Sequence, residues 1–141
     1  MKRNLTTIAT VVMMVLSLSS FAKEKANPTK YFSSKAILEN YIDASVLGNQ
    51  KFTKEILANN FEFINATDNA KSSKKEYSKF LGETSNLKYN CDIKHEILDQ
   101  TGKSAVAKAT MKFDNFTRVD IINLVLTTDG WKINRVISNF L

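Results

Sequence analysis

Residues 105–140 read AVAKATMKFDNFTRVDIINLVLTTDGWKINRVISNF, and the pattern of apolar residues in this stretch indicates the architecture of the chain. From Ala105 to Phe113, Ala, Met and Phe side chains occupy every second position, which is the period of a strand with one buried face. Asp114–Asn115 then predicts a turn, and Asp129–Gly130 between two apolar segments predicts a tight hairpin. The stretch is therefore expected to form three consecutive antiparallel strands.

The same two-residue period begins further upstream. Polar and charged residues from Asn90 to Glu96 alternate with a second set of residues that are mostly apolar or aromatic. Gln100–Lys103 predicts the turn into the next strand. The second set, predicted to face the core or a pocket, comprises Tyr89, Cys91, Ile93, His95 and Ile97. The second half of the chain is thus predicted to be a meander of three or four long antiparallel strands.

The first half of the chain has helical spacing instead. Ser33–Ser34 can cap a helix, and Gly48 suits its end. A second short helix is expected from Asn49, and a strand at Phe61–Ile64. The apolar face of the first helix comprises Ile37, Leu38, Tyr41, Ile42 and Val46, and that of the second comprises Phe52, Ile56 and Leu57.

A third helix is predicted from the spacing of Ser73 and Glu76, which is that of a capping box, with Gly82 near its end. Helices that precede an antiparallel sheet and cover one of its faces define an α+β layer architecture. The predicted fold class is therefore α+β.

The N-terminus is typical of a secretory signal peptide. Lys2 and Arg3 precede the uncharged segment Leu5–Leu18, and Ser20 and Ala22 are small residues two positions apart. We expect cleavage after Ala22, an exposed segment at 23–32 and a single domain at 33–141. An uncleaved membrane anchor is the alternative, but the apolar run is shorter than the roughly 20 residues that span a bilayer. The expected location is therefore periplasmic or secreted, with no membrane association after cleavage.

Composition excludes several classes of protein. The chain of 141 residues has a formal net charge of +6, and removal of 1–22 would lower it to +4, too small an excess to predict a nucleic-acid partner. Cys91 is the only cysteine, so no intramolecular disulfide can form. One His and one Cys do not provide the three or four ligands of a zinc site, and no cofactor motif is present. No metal or cofactor is therefore expected.

Two segments carry a family resemblance. Residues 40–49 (NYIDASVLGN), followed by Phe61–Phe63, and residues 118–126 (RVDIINLVL) with 129–136 (DGWKINRV) resemble the nuclear transport factor 2-like superfamily, in its SnoaL-like and putative lumazine-binding branch. The resemblance implies a strongly curved sheet wrapped around N-terminal helices, a cone-like or cystatin-like roll with an apolar pocket. Relatives include ketosteroid isomerases, scytalone dehydratases, polyketide cyclases, limonene epoxide hydrolases and noncatalytic proteins, so the fold does not decide function.

Three residues are candidates for catalysis within such a pocket. Asp120 or His95 could transfer a proton, and the Tyr41 hydroxyl could polarise a carbonyl. The alternative for Asp120 is a structural pair with Arg118 at a sheet edge or dimer surface, and for His95 and Tyr41 it is packing in the core. The complete Tyr and paired-Asp set of ketosteroid isomerases cannot be matched here. The predicted pocket lining comprises Tyr89, Arg118, Ile122, Asn123 and Trp131.

Three functional hypotheses follow. Absence of a complete catalytic set favours an exported protein that binds a small apolar or aromatic ligand and forms a homodimer through its sheet. The second hypothesis is an isomerase, dehydratase or cyclase that uses general acid–base catalysis. The third is a protein–protein interaction module with an exposed apolar sheet face.

Overall fold

The alternating segments form one continuous sheet in the computed structural model, which describes residues 26–141. The predicted signal peptide lies outside the described residues. The helices are α1 (Ser34–Val46), α2 (Thr53–Ile56) and α3 (Lys74–Glu83). The strands are β1 (Leu57–Asn65), β2 (Lys71–Ser73), β3 (Asp92–Thr101), β4 (Ser104–Lys112), β5 (Thr117–Thr127) and β6 (Gly130–Phe140).

The sheet has six strands in the order β2-β1-β6-β5-β4-β3, and it is curved and unclosed. Strands β3 to β6 form the predicted antiparallel meander, so the α+β prediction is confirmed. The sheet is nevertheless mixed, because β1 runs parallel to β6, with Phe63 opposite Val136. β1 and β6 are far apart in the chain, and no hairpin turn constrains their relative direction.

The core lies between α1 and the inner face of the sheet. Ser33 caps α1 by accepting a hydrogen bond from the backbone N–H of Ala36, and α1 packs on β3, β4 and β6. Its predicted apolar face is buried against the alternating side chains of β4, namely Ala105, Ala107, Ala109 and Met111. Small alanines at three of these positions leave room for the helix to approach the sheet closely.

The third helix begins as the capping box predicts. The Ser73 hydroxyl accepts a hydrogen bond from the Glu76 N–H, and the Glu76 carboxylate accepts one from the Ser73 N–H. The second helix is only four residues long, because Leu57 already adopts extended backbone geometry and begins β1. No helix within residues 26–141 is both long and apolar enough to cross a membrane.

The described part of the N-terminal segment is attached to the β5–β6 hairpin. Asn27 donates a hydrogen bond from its Nδ2 to the Asp129 carboxylate, at 2.9 Å, and Thr29 is fully buried. Gly130 adopts a φ of +98°, and a Cβ at this position would lie 2.5 Å from the Lys30 carbonyl oxygen. The hairpin and the segment therefore require glycine at this contact.

Candidate functional site

A cluster of polar side chains is buried between α1 and the two central strands of the sheet. Asp120 on β5 and Ser138 on β6 are opposite each other in the sheet register, and neither is exposed. Tyr41 extends from α1, and its hydroxyl donates a 2.8 Å hydrogen bond to Asp120 Oδ2. The cluster thus links the helix to both strands.

Arg118 lies two residues before Asp120 and on the same face of β5. Its Nε donates to Asp120 Oδ1 at 2.9 Å, and its Nη2 donates to Asp120 Oδ2 at 2.7 Å. Ser138 also donates to Oδ1, at 2.6 Å. With the bond from Tyr41, the Asp120 carboxylate accepts four hydrogen bonds, which matches its roughly four lone-pair sites. Asp120 is therefore saturated as an acceptor.

Burial raises the pKa of Tyr41 well above its ordinary value, and the negative charge of Asp120 raises it further. Burial also raises the pKa of Tyr77, whose hydroxyl lies 3.3 Å from that of Tyr41. For Arg118, burial alone would lower the pKa, but Tyr41 and Asp120 outweigh this effect and raise it. The two tyrosines are consequently neutral hydrogen-bond donors at pH 7, and the guanidinium is charged.

A cavity of about 340 Å³ opens beside this cluster, and we call it the aromatic pocket. Seven of its lining residues carry aromatic rings: Phe63, Tyr77, Phe80, Tyr89, Phe113, Phe116 and Phe140. Ser45, Val46, Asn65, Leu81 and Arg118 complete the lining. The rings of Phe63 and Tyr77 are stacked with centroids 4.6 Å apart, and those of Phe113 and Phe116 with centroids 4.5 Å apart. These stacked pairs present apolar ring surface to the cavity.

Two polar groups of the lining retain hydrogen-bonding capacity. The guanidinium of Arg118 uses Nε and Nη2 in the bonds to the buried cluster, whereas Nη1 takes part in none of them. The hydroxyl of Ser45, a residue only 7% exposed, has no hydrogen-bond partner among the described residues. A buried hydroxyl without a partner costs about 1–3 kcal/mol. The Nη1 group of Arg118 is therefore a hydrogen-bond donor that a ligand could use, whereas the Ser45 hydroxyl oxygen is inaccessible to solvent.

The structure brings together only some of the residues that the sequence nominates. Tyr41, Asp120 and Arg118 form one cluster, and Arg118 and Tyr89 line the aromatic pocket. The Arg118–Asp120 pair exists, but it lies on an interior strand beneath α1 and not at a sheet edge or surface. Ile122 and Trp131 are buried in the core, and Asn123 is half-buried on β5 between two core residues; none of these three lines the pocket.

His95 is exposed, although its alternating position predicts a core or pocket side chain. It lies on the edge strand β3, in a cleft with Lys94, Glu96, Lys108 and Thr110. Only Ile93 and Ile97 of this strand pack against the core. β3 pairs with β4 alone, so His95 lies opposite the buried Ala109 on one side and has no neighbouring strand on the other, and alternation does not guarantee burial at this edge.

The sequence does not predict that most of the aromatic residues in this lining surround a pocket. Phe113 and Phe116 flank the Asp114–Asn115 turn, and this pairing of aromatic residues about a turn is the one local signal that could have pointed to the pocket. Phe63, Tyr77 and Phe140 come from β1, α3 and the end of β6, and nothing local connects them. Within residues 26–141, no group of three or more His, Cys, Asp or Glu side chains could hold a metal ion.

The curved sheet over α1, with a pocket between sheet and helices, defines a protein of the nuclear transport factor 2-like class. The family model described as "Putative lumazine-binding" matches residues 33–136, and the chain belongs to this family. No curated protein matches the chain.

Solved structures of low sequence identity share the fold. An NTF-2 like protein of unknown function from Silicibacter pomeroyi is 11% identical and has a TM-score of 0.61, with 76% of this chain and 92% of that chain covered. A putative ketosteroid isomerase from Shewanella frigidimarina is 20% identical, with a TM-score of 0.59 and coverage of 72% and 90%. A protein of unknown function from Pectobacterium atrosepticum is 14% identical, with a TM-score of 0.63 and coverage of 76% and 87%.

Proposed function

We propose that this protein binds a small, mostly apolar or aromatic molecule in the aromatic pocket, with a hydrogen-bond acceptor directed at Arg118. The observation that carries the proposal is the composition of the lining, in which seven aromatic rings surround about 340 Å³ and Arg118 is the one charged side chain among the described lining residues. Ligand sites are commonly apolar cavities of about 300–1,000 Å³ with a few fixed polar groups. Membership of the family described as "Putative lumazine-binding" agrees with small-molecule binding.

The buried cluster would hold Arg118 in position. Asp120 binds two nitrogens of the guanidinium, and Ser138 accepts a further bond from Nε at 3.0 Å. A side chain fixed in this way loses little conformational entropy when a ligand binds. In this proposal Asp120 is a positioning residue.

An acid–base enzyme has less support. The four hydrogen bonds to Asp120 leave its carboxylate without a free acceptor site, and the residue is completely buried. A general base must come within hydrogen-bond reach of the proton that it removes. His95, the other candidate, lies in a different cleft from the aromatic pocket.

The proposal places the protein outside the cytoplasm as a homodimer. Export rests on the charged, apolar and small-residue order of 1–22. Dimerisation rests on the outer face of the sheet, where Val119, Ile121 and Ile137 are only partly buried in the single chain. Sedimentation of the wild type and of Ile121→Lys should give a dimer and a monomer, respectively; a wild-type monomer would refute the dimer.

Binding is tested by calorimetric titration with three bicyclic probes: naphthalene-2-carboxylate, 2-acetylnaphthalene and 2-ethylnaphthalene. The two probes with a carbonyl oxygen should bind at least about fivefold more tightly than 2-ethylnaphthalene, since one hydrogen bond contributes about 1 kcal/mol. Phe116→Ala should weaken all three, and it should still fold because Phe116 is 43% exposed.

The matched control is Leu98→Ala, which removes a similarly exposed apolar side chain on β3, away from the pocket. This variant should bind the probes as the wild type does. Failure of all three probes to bind would overturn the pocket proposal. Equal affinity for all three would overturn the assignment of Arg118 as the polar anchor.

A further inference from the structure

A second concave region lies at the opposite end of β5 and β6 from the aromatic pocket. Two adjoining cavities of about 920 and 680 Å³ share Lys54, Asn59 and Lys74 in their linings, and we call them together the lysine groove. Five lysines line it: Lys54, Lys74, Lys75, Lys79 and Lys132. The acidic residues of the lining are Glu55 and Asp129, so the groove carries a net positive charge.

Two of these lysines are held in place and partly removed from water. The side chain of Lys132 is only 12% exposed; its Nζ donates to the Glu55 carbonyl and lies 3.4 Å from the Asp129 carboxylate. The Nζ of Lys74 donates to the Leu57 carbonyl at 2.9 Å. Burial lowers the pKa of Lys74, and the neighbouring charge of Lys132 lowers it further. Two ammonium groups therefore repel each other in one confined region.

The hydrogen bonds of Lys74 and Lys132 to backbone carbonyls help to complete the end of α2, but they do not use all the N–H donors of the two ammonium groups. Glu55 and Leu57 lie at the end of α2, where carbonyls lack helical partners and lysine side chains often supply them. Each ammonium has three N–H donors, and the Lys74 ammonium uses one of them in a hydrogen bond within the described residues. The remaining donors are available to an acceptor in the groove.

β1 contains a bulge beside the lysine groove. Pairing with β6 shifts register between Leu57 and Glu62, so the intervening residues bulge out of the ladder. Asn59 and Asn60 lie in this bulge, are exposed, and line the groove. Bulges often redirect side chains beside binding sites. Here the bulge adds two amide groups to the edge of a cavity already rich in ammonium groups.

We propose that the lysine groove binds a small soluble polyanion that carries phosphate groups. Lysine is a compact point charge that suits phosphate oxygens, and the described lining contains lysines but no arginine. The two adjoining cavities, of about 920 and 680 Å³, have room for a molecule with more than one phosphate. Lys74 and Lys132 are half-buried in the groove, where a small soluble anion reaches them more readily than a membrane surface does. This site shares no lining residue with the aromatic pocket and does not depend on it.

The test is calorimetric titration of the purified protein with inorganic tripolyphosphate at low salt. K54Q/K75Q/K79Q should bind at least tenfold more weakly than the wild type, and these three exposed side chains can be changed without altering the half-buried Lys74 and Lys132. The control, K88Q/K103Q/K112Q, removes the same charge from exposed lysines outside the groove and should change the affinity less than twofold.

Three outcomes would overturn the proposal. The first is no measurable binding of tripolyphosphate to the wild type. The second is equal weakening in both triple variants, because binding would then follow overall charge and not the groove. The third is binding to phosphatidylglycerol vesicles without binding to tripolyphosphate, which would assign the lysines to a membrane surface.

Discussion

Replacement of Asp120 by Asn tests whether the buried cluster organises the sheet and α1. The amide nearly preserves the shape of the carboxylate but removes its charge, and it directs an N–H₂ group at donors from Arg118 and Tyr41. The Arg118 side chain is only 16% exposed, so its charge would remain buried without a counterion. Loss of one partner of a buried ion pair costs about 3–5 kcal/mol. We expect Asp120→Asn to lower the free energy of unfolding by about 3 kcal/mol, the lower end of that range, because one oxygen acceptor remains.

The measurement is urea unfolding followed by the fluorescence of Trp131, the single tryptophan, which lies in the core. With a denaturant slope of about 1–3 kcal/mol per molar urea, the midpoint should fall by about 1–3 M. Combining Asp120→Asn with Arg118→Met removes both charges, and the double variant should lose less stability than the sum of the two single variants. A loss below about 1 kcal/mol for Asp120→Asn, or strict additivity, would show that the pair does not stabilise the fold.

Three further predictions concern pH, the β5–β6 hairpin and a helix cap. Because burial raises the pKa of both Tyr41 and Tyr77, the folded state keeps protons that the unfolded chain releases above about pH 10. The free energy of unfolding should therefore be level up to about pH 9 and then fall by up to about 1.4 kcal/mol per pH unit for each tyrosine. Tyr77→Phe should reduce this slope, and an unchanged slope would show that Tyr77 does not titrate with a raised pKa. Gly130→Ala should cost about 2–3 kcal/mol in thermal unfolding and expose the N-terminal segment to protease, whereas wild-type protease resistance would show that the contact relaxes. Ser73→Ala should cost about 1 kcal/mol through loss of the cap on α3, and Ser72→Ala is the control that should leave the melting temperature nearly unchanged.

Much of the fold can be predicted from local sequence. The alternation from Ala105 to Phe113 predicts β4 and its buried face, and Ser73 with Glu76 predicts the start of α3. These features depend on interactions between residues a few positions apart, and so they can be predicted without knowing the rest of the chain. The alternation in β3 does not predict the exposure of His95, because burial on an edge strand depends on what packs beside it in the folded sheet.

The candidate site could be predicted only in fragments. The sequence indicates Tyr41, Arg118 and Asp120 individually, but the hydrogen bond between Tyr41 and Asp120 spans 79 positions in the chain. The same limit applies to the aromatic pocket, whose rings come from β1, α3, the segments around the β4–β5 turn and the end of β6. No local period or spacing connects residues that meet only after the sheet curves over α1.

By itself, the sequence determined the α+β class, the antiparallel meander, the helix caps and the family, because strand alternation, turn chemistry and capping are properties of short segments. Tertiary structure alone decided that β1 pairs parallel to β6, that the Arg118–Asp120 pair is buried and that His95 is exposed. It also separated an aromatic pocket from a lysine groove at opposite ends of the same two strands. Sheet order, curvature and helix coverage set these features, since they arise from packing between segments far apart in the chain.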